Sequence, residues 1–246
     1  MSLPQKHRPI RVSDIIGQSS AVSRINGLLA KKLPHVLLFS GPSGSGKTTF
    51  ARALARQLGC SPTDGNGNYT EINCADNRGI EMVRTIAGHM QYLPLGGGVR
   101  VWVLDEVVQL PEITQQAFLK ILEDTPDHVY FFLCTTHPET LIKTFRSRCH
   151  EVALQSLTDT DMQALLERVA KKEGSKLLDE VADKIIEVAE GNARTALAVL
   201  EGVLTFKTKE DQLKCIQGSA EEVQSIELIR AIFLLFLLLF LLLFLS

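Results

Sequence analysis

The chain has 246 residues, a hydrophobic content of 45% and a formal net charge of −2. This length and this apolar fraction exclude a disordered chain and allow one or two compact domains. The small negative charge excludes a protein that wraps nucleic acid with its whole surface, because such binders carry a clear basic excess. Any contact with DNA must therefore be local.

The cysteines and the N-terminal residues indicate a reducing compartment. The five cysteines are spread along the chain without a C-x-x-C pair, so the sequence predicts neither a zinc module nor a disulfide framework. Residues 1–18 lack the apolar stretch of a signal peptide. The expected location is the cytoplasm.

The first two thirds of the chain alternates short apolar runs with segments whose apolar residues recur at helical spacing. The predicted strands are residues 35–40, 69–73, 99–104 and 129–135. The predicted helices between them are residues 48–58, 80–91 and 114–123. This order predicts an α/β domain in which helices cover a parallel sheet on both faces.

Residues 41–48 read GPSGSGKT and complete the pattern G-x-x-x-x-G-K-[ST] between a predicted strand and a predicted helix. Such a P-loop curls backbone N–H groups around a phosphate chain, and the start of the helix adds its positive end. Lys47 is expected to reach the terminal phosphates and Thr48 to hold Mg²⁺. The alternative, a glycine-rich turn formed by chance, would not require a strand and a helix on either side.

Residues 101–106 read VWVLDE, an apolar strand that ends in two acids. Together with the P-loop, this pattern predicts a Walker B segment. Asp105 would bind Mg²⁺ through water, and Glu106 would orient and deprotonate the attacking water. Without the P-loop, the same residues would indicate a strand that ends in a solvated acidic turn. ATP and Mg²⁺ are the expected cofactors.

After residue 152 the pattern changes to helices alone, predicted at residues 158–172, 178–190 and 193–204. Thr158, followed by Asp161, is a candidate helix start of the capping-box kind. The sequence therefore predicts a small helical domain after the α/β domain.

Several motifs together resemble the ATPase subunits of DNA clamp loaders, over about residues 5–217. These subunits are the bacterial gamma and tau subunits and the small subunits of replication factor C. The matching segments are HRPIRVSDIIGQ at 7–18, LCTTHPETLIKTFRSRC at 133–149 and GNARTALAVLE at 191–201, in addition to the P-loop.

The resemblance implies an AAA+ ATPase that opens and releases a ring-shaped clamp at primer-template junctions within an oligomer. It implies three kinds of partner, which are other loader subunits, a sliding clamp and primer-template DNA. It also implies that residues 1–153 form the ATPase domain and residues 154–217 a helical lid domain.

The resemblance assigns nucleotide-binding residues to the first segment and to the P-loop. In the first segment, the adenine pocket would be lined by Arg8, Pro9, Ile15, Ile16 and Gly17. In the P-loop, the phosphates would be bound by Gly41, Pro42, Ser43, Gly44, Ser45, Gly46, Lys47, Thr48 and Thr49.

Three further residues gain roles only through the resemblance. Thr136 would sense the γ-phosphate, and Arg148 would act as an arginine finger on the ATP of a neighbouring subunit. Without the family, residues 147–149 are only a polar turn before a strand. Arg194 would reach back to the nucleotide, whereas the alternative is an ordinary solvated arginine on an amphipathic helix.

Residues 72–84, INCADNRGIEMVR, resemble the segment that leads into the DNA-facing and clamp-facing helix of the family. Arg78 and Arg84 would then contact phosphates, which positions a duplex without reading its sequence. Local ion pairs on the surface are an equally good account of either arginine.

The sequence also departs from the family. Val12 replaces a phenylalanine of the opening segment, Val107 and Val108 follow the two Walker B acids, and the zinc-binding cysteines of the gamma subunit are absent. The helical collar domain of the family is expected to be missing. Residues 218–246 are then either the start of a truncated collar or an apolar low-complexity tail.

The apolar run at 231–245 is shorter than the roughly 20 residues that cross a bilayer, so a membrane anchor is the second choice for it. Three other functions remain open. They are an inert nucleotide-binding scaffold subunit, another AAA+ motor such as a branch-migration helicase or an initiator, and a membrane-tethered ATPase.

Overall fold

A computed structural model describes residues 1–61, 63, 65, 67–94 and 96–221. The chain divides into two compact units. The sheet unit contains residues 7–161 and 191–193. The helical unit contains residues 1–6, 162–190 and 194–221. The predicted collar or tail lies outside the described residues from position 222, and so does the apolar run at 231–245.

The sheet unit is built on a five-stranded sheet in which every pairing is parallel and the strand order is β2-β3-β4-β1-β5. The strands are β1 (Val36–Ser40), β2 (Tyr69–Asn73), β3 (Arg100–Asp105), β4 (Val129–Thr135) and β5 (His150–Ala153). The four predicted strands are confirmed to within one residue at each end. β5 is the strand that follows the polar turn at residues 147–149.

The helices are α1 (Leu3–Lys6), α2 (Ser19–Leu29), α3 (Lys47–Gln57), α4 (Ile80–Met90), α5 (Glu112–Glu123), α6 (Lys143–Arg146), α7 (Asp159–Lys172), α8 (Asp179–Ala189) and α9 (Ala193–Val203). Residues 209–221 are also helical. The six predicted helices are confirmed, with ends that differ by at most two residues. None of the helices in the described residues has the length and apolar content that a membrane crossing requires.

The three central strands, β1, β3 and β4, are apolar on both faces because helices cover both faces of the sheet. In β1, Leu37 and Phe39 pack with α2 and α3, whereas Val36 and Leu38 pack with α4, α5 and α6 on the opposite face. Val12, which replaces the phenylalanine of the family, is 1% exposed and packs in the first of these two clusters. The sheet is therefore the centre of two apolar layers.

The helical unit has its own buried side chains, which come mainly from α7, α8 and α9. They include Met162, Leu166, Ile185, Leu200 and Val203. The N-terminal residues belong to this unit, because Lys6 Nζ lies 2.8 Å from the carboxylate of Glu173. The start of α7 is capped as predicted, since the Thr158 hydroxyl accepts the N–H of Asp161 at 3.2 Å.

The parallel order has one consequence for function. The carboxyl ends of β1, β3 and β4 meet at the same edge of the sheet, and the P-loop, the Walker B acids and Thr136 follow these three ends. The fold therefore brings three of the predicted motifs to one place.

Candidate functional site

The loop between β1 and α3 has a shape that glycine alone allows at two positions. Gly41 has a φ of 148° and Gly44 a φ of 75°. A Cβ atom would lie 2.3 Å from the backbone oxygen of Leu154 at Gly41 and 1.9 Å from Oδ1 of Asn192 at Gly44. Neighbouring chain therefore packs directly against the glycine backbone, as a tightly curled phosphate-binding loop requires.

Lys47 opens α3 and lies inside this loop. Its side chain is largely buried, and Nζ donates to the carbonyl oxygens of Gly41 and Pro42 at 2.9 Å each. These bonds hold the positive charge of Lys47 over the loop, at the amino end of α3. An anion there is stabilised both by the ammonium group and by the positive end of the helix dipole.

Ser45 provides a test of whether the loop fits a phosphate chain. The residue is 5% exposed, and its Oγ has no hydrogen-bond partner among the described residues. Buried hydroxyl groups are nearly always hydrogen-bonded. A phosphate oxygen in the loop would supply the missing partner, so the donor set fits the polyphosphate of a nucleotide.

The P-loop and the Walker B segment are joined by a direct contact. The Thr48 hydroxyl donates to Oδ2 of Asp105 at 2.8 Å. Hydroxyl and carboxylate oxygens are ligands that Mg²⁺ accepts, and the metal is usually bound by one or two carboxylates together with substrate phosphates. The pair predicted to hold Mg²⁺ is therefore brought together, and its chemistry fits that ion.

Glu106 has an unusual backbone. Its φ is 56° and its ψ is 48°, and its N–H donates to Oδ1 of Asp105 at 3.1 Å. A left-handed conformation costs a residue with a side chain about 1–2 kcal/mol. Strain of this kind is concentrated at functional sites, where the surrounding structure enforces it.

Two buried thiols flank the end of β3. Burial, reinforced by the charges of Asp105 and Glu106, raises the pKa of Cys74 to about 12. Burial also raises the pKa of Cys134, and the charge of Asp105 adds to this effect. Both thiols therefore stay protonated and act as neutral packing groups beside the acids.

Thr136 follows the end of β4, next to the P-loop strand. Thr135 pairs in register with Ser40, and its hydroxyl accepts the N–H of His137 at 3.2 Å. Thr136 is half-buried directly after this pair. The structure thus brings Thr136 to the edge of the sheet where the P-loop begins.

Arg148 is held by its own unit. Its Nε donates to the Glu123 carboxylate at 2.8 Å, at the end of α5, and another of its nitrogens donates to the carbonyl oxygen of Thr144 at 2.6 Å. The guanidinium therefore binds Glu123 and the Thr144 carbonyl oxygen within the sheet unit. Arg194 lies in α9 of the helical unit. The roles of both arginines stay predictions.

The opening segment contacts the chain that follows β5. Gly17 has a φ of 74°, and a Cβ atom there would lie 2.3 Å from Cδ2 of Leu157. In the same segment, Arg8 Nε is buried without a partner among the described residues, and Ile15 packs against the first apolar cluster. The adenine contacts expected of Arg8, Pro9, Ile15, Ile16 and Gly17 stay a prediction.

The two predicted DNA contacts are engaged locally. Arg84 lies 2.5 Å from the carboxylate of Glu81 one turn away, and both side chains are exposed. Arg78 Nε donates to the carbonyl oxygen of Ala75 at 2.8 Å. Surface pairs of this kind are weak, so they leave a role in DNA binding open.

Sequence reasoning missed two residues that support the loop. Gln18 Nε2 donates to the carbonyl oxygen of Gln155 at 2.7 Å, and Gln18 Oε1 accepts the N–H of the same residue at 3.1 Å. Glu151 accepts the Ser40 hydroxyl at 2.8 Å and the Arg146 guanidinium at 2.8 Å. Gln18 is the last residue of the segment at 7–18 that resembles clamp loaders, and this was the sequence signal available for it. Nothing in the sequence pointed to Glu151.

The chain is similar to subunits of DNA polymerase III. The family model described as "DNA polymerase III, delta subunit" matches residues 17–158. The chain is 33% identical over 224 residues to the DNA polymerase III subunit gamma/tau of Mycobacterium tuberculosis, covering 83% of this chain and 39% of that protein. It is 34% identical over 230 residues to the DNA polymerase III subunit gamma of Buchnera aphidicola, covering 86% and 63%.

The chain therefore spans about two fifths of the length of its mycobacterial relative. Among solved structures, it is similar to the Thermotoga maritima RuvB Holliday junction branch migration motor. The TM-score is 0.70 at 22% identity, covering 85% of this chain and 72% of that one. At this identity the likeness shows the fold alone, and it confirms the predicted P-loop AAA+ fold with its parallel sheet and helical C-terminal region.

Proposed function

The chain belongs to the DNA polymerase III, delta subunit family, and on that premise we propose that it is an ATP-hydrolysing subunit of a DNA sliding-clamp loader. The observation that carries the proposal is the contact of Thr48 with Asp105, because it joins a phosphate-binding loop to a candidate metal carboxylate. Glu106 follows directly. A loop that merely binds anions would not need this pair of acids.

In the proposed site, the P-loop backbone from Gly41 to Thr49 and the Lys47 ammonium bind the phosphates of ATP. Thr48 and Asp105 hold Mg²⁺, which when bound neutralises charge on the β- and γ-phosphates. Five residues of the opening segment enclose the adenine, and these are Arg8, Pro9, Ile15, Ile16 and Gly17. Residues 1–153 then act as the ATPase domain and residues 154–217 as the lid that carries Arg194.

Glu106 is the proposed general base. It accepts a proton from the water that attacks the γ-phosphorus, while Thr136 positions that water or the γ-phosphate itself. Arg148 completes the site of a neighbouring subunit, where its charge offsets the negative charge that develops on the transferred phosphoryl group. Arg148 would first have to break its bond to Glu123, so that its guanidinium is free to reach the phosphates in the neighbouring subunit.

The proposed partners are other loader subunits, a sliding clamp and primer-template DNA. Arg78 lies two residues before α4 and Arg84 lies in its second turn, and both would contact phosphates. Such contacts give binding that weakens with salt and ignores base sequence.

The decisive experiment measures ATP hydrolysis by the full chain with and without primed DNA and a candidate clamp. We expect both to stimulate turnover, and Lys47→Ala serves as the control for contaminating ATPases. A third arm contains a four-way DNA junction, because the alternative AAA+ motor is a branch-migration enzyme. Stimulation by the junction alone would favour that motor, and ATP binding without turnover in any arm would favour a scaffold subunit.

A further inference from the structure

The sheet unit has an open surface cavity that the proposed function does not use. Its volume is about 400 Å³, and it is lined by residues 10–13, by Asn26 of α2 and by the last turn of α3. The polar lining consists of Arg11, Ser13, Asn26, Arg56 and Gln57. Neither an acidic nor an aromatic side chain lines it.

The two arginines of this cavity have no counter-charge. In the described part of the chain, the side chains of Arg11 and Arg56 make neither a hydrogen bond nor an ion pair, whereas those of Arg52, Arg84 and Arg148 each bind a carboxylate. The chain has more acidic than basic residues, so carboxylates are plentiful. Arg11 is exposed and Arg56 half-buried, so an anion from solvent can reach both guanidinium groups, and its charge would offset theirs.

The chemistry of the lining indicates which anion. A guanidinium group presents a planar fork of N–H donors that matches phosphate oxygens two at a time, and it is the preferred group for phosphate recognition. Ser13, Asn26 and Gln57 add neutral donors and acceptors, which suit the hydroxyl groups of an attached sugar or similar moiety. The volume lies within the range of sites for small molecules and exceeds what a bare phosphate needs.

The cavity is separate from the P-loop. Lys47 begins α3 and Arg56 lies in its last turn, nine residues further along. At the rise of an α-helix, this separation is about 14 Å. Single-stranded DNA is a poorer fit, because grooves for it combine basic side chains with aromatic platforms, and the lining has no aromatic residue.

We propose that this cavity binds a phosphorylated small molecule, with Arg11 and Arg56 holding its phosphate group. Ile10 and Val12 contribute the apolar part of the wall. This second phosphate site does not depend on the P-loop being a nucleotide site.

The test uses the full chain with Lys47→Ala, which removes the P-loop as a competing phosphate site. Inorganic pyrophosphate is titrated by calorimetry into this variant and into the same variant with Arg11→Gln and Arg56→Gln. The matched control carries Lys184→Gln and Lys209→Gln instead, because these exposed lysines pair with carboxylates in the helical unit and removing them changes the net charge equally.

We expect pyrophosphate to bind the Lys47→Ala chain and its lysine control with the same affinity, and to bind the double arginine variant at least tenfold more weakly. Arg56→Lys should give an intermediate affinity, because it keeps the charge and loses the planar fork. Circular dichroism checks that every variant is folded. A chain that carries Arg11→Gln and Arg56→Gln but keeps Lys47 should bind ATP with the same affinity as the parent.

Three results would overturn the proposal. They are the absence of pyrophosphate binding to the Lys47→Ala chain, equal binding by the double arginine variant, and a loss as large in the lysine control. Arginine-dependent binding of a single-stranded oligonucleotide that pyrophosphate does not displace would also overturn it in favour of a DNA contact. Loss of ATP binding in the Lys47→Ala chain tests the P-loop separately.

Discussion

Replacing Gly41 by alanine should unfold the sheet unit more easily, because the methyl group has no room. The new Cβ would lie 2.3 Å from the carbonyl oxygen of Leu154, at a φ of 148° that side chains rarely adopt. The backbone strain costs about 1–3 kcal/mol. Moving Leu154 away weakens the bond of its N–H to Ser40, 2.7 Å long, which is worth about 0.5–1.5 kcal/mol. We expect a total loss of about 2–4 kcal/mol.

The assay is urea unfolding followed by the fluorescence of Trp102, the one tryptophan of the chain. This side chain is 4% exposed and belongs to β3, so its signal reports on the sheet unit. Gly88→Ala is the matched control, because Gly88 lies in α4 with open space around it. Alanine there should stabilise the protein by up to about 1 kcal/mol. The reasoning would be refuted if Gly41→Ala had the same free energy of unfolding as the parent, or if Gly88→Ala lowered it as much as Gly41→Ala does.

The other predictions concern the proposed site. Lys47→Ala should lose affinity for ATP in a binding titration, because the charge on the terminal phosphates disappears; equal binding would refute the P-loop assignment. Glu106→Gln should bind ATP with the parent's affinity and hydrolyse it far more slowly, since the amide keeps the shape and loses the base; retained turnover would move that role elsewhere. Arg148→Ala and Lys47→Ala should each be poor ATPases alone, and mixing the two variants should restore part of the activity. Sedimentation must show that the mixed variants form an oligomer, and if activity then stays low, Arg148 has only a structural role. Burial tends to raise the pKa of Glu151, but bonds from Ser40 and an arginine outweigh it and lower that pKa. Its stabilising contribution should therefore be complete above about pH 5 and be lost as the pH falls through the lowered pKa, so the parent and Glu151→Gln should converge in urea stability at low pH; a gap that widens at low pH would contradict this.

β1, β3 and β4 could be read from the sequence because helices bury both of their faces, which leaves short continuous apolar runs. The P-loop could be read because its function depends on residues that are adjacent in the chain. β5 gives a weaker signal, since it has only four residues and its sides are partly exposed. Its strand conformation depends on pairing with β1, and local patterns contain no information about that partner.

α2 was not predicted because Ser19, Ser20, Asn26 and Gly27 have low helix propensity, and tertiary packing of Ala21 and Ile25 compensates for it.

The contacts around the site were also beyond local patterns. The bond from Thr48 to Asp105 could be anticipated only because two known motifs imply it. Glu151 reaches Ser40 across neighbouring strands, and Gln18 reaches Gln155 from the opposite end of the sheet unit's sequence. Contacts of this kind follow from the three-dimensional fold, and a sequence contains no periodicity that points to them.

The strand order also determines when the sheet can form during synthesis. β1 leaves the ribosome before the other strands, yet its partners are the last two, with Val36 opposite Phe131 and Leu37 opposite His150. Until those segments emerge, a strand that is entirely buried in the folded protein has both edges unpaired, which is a state prone to aggregation. Pairing between strands that are far apart in the sequence also makes folding slow. We therefore expect a chain interrupted before residue 150 to be insoluble, and the nascent protein to need protection by a chaperone until β5 has been made.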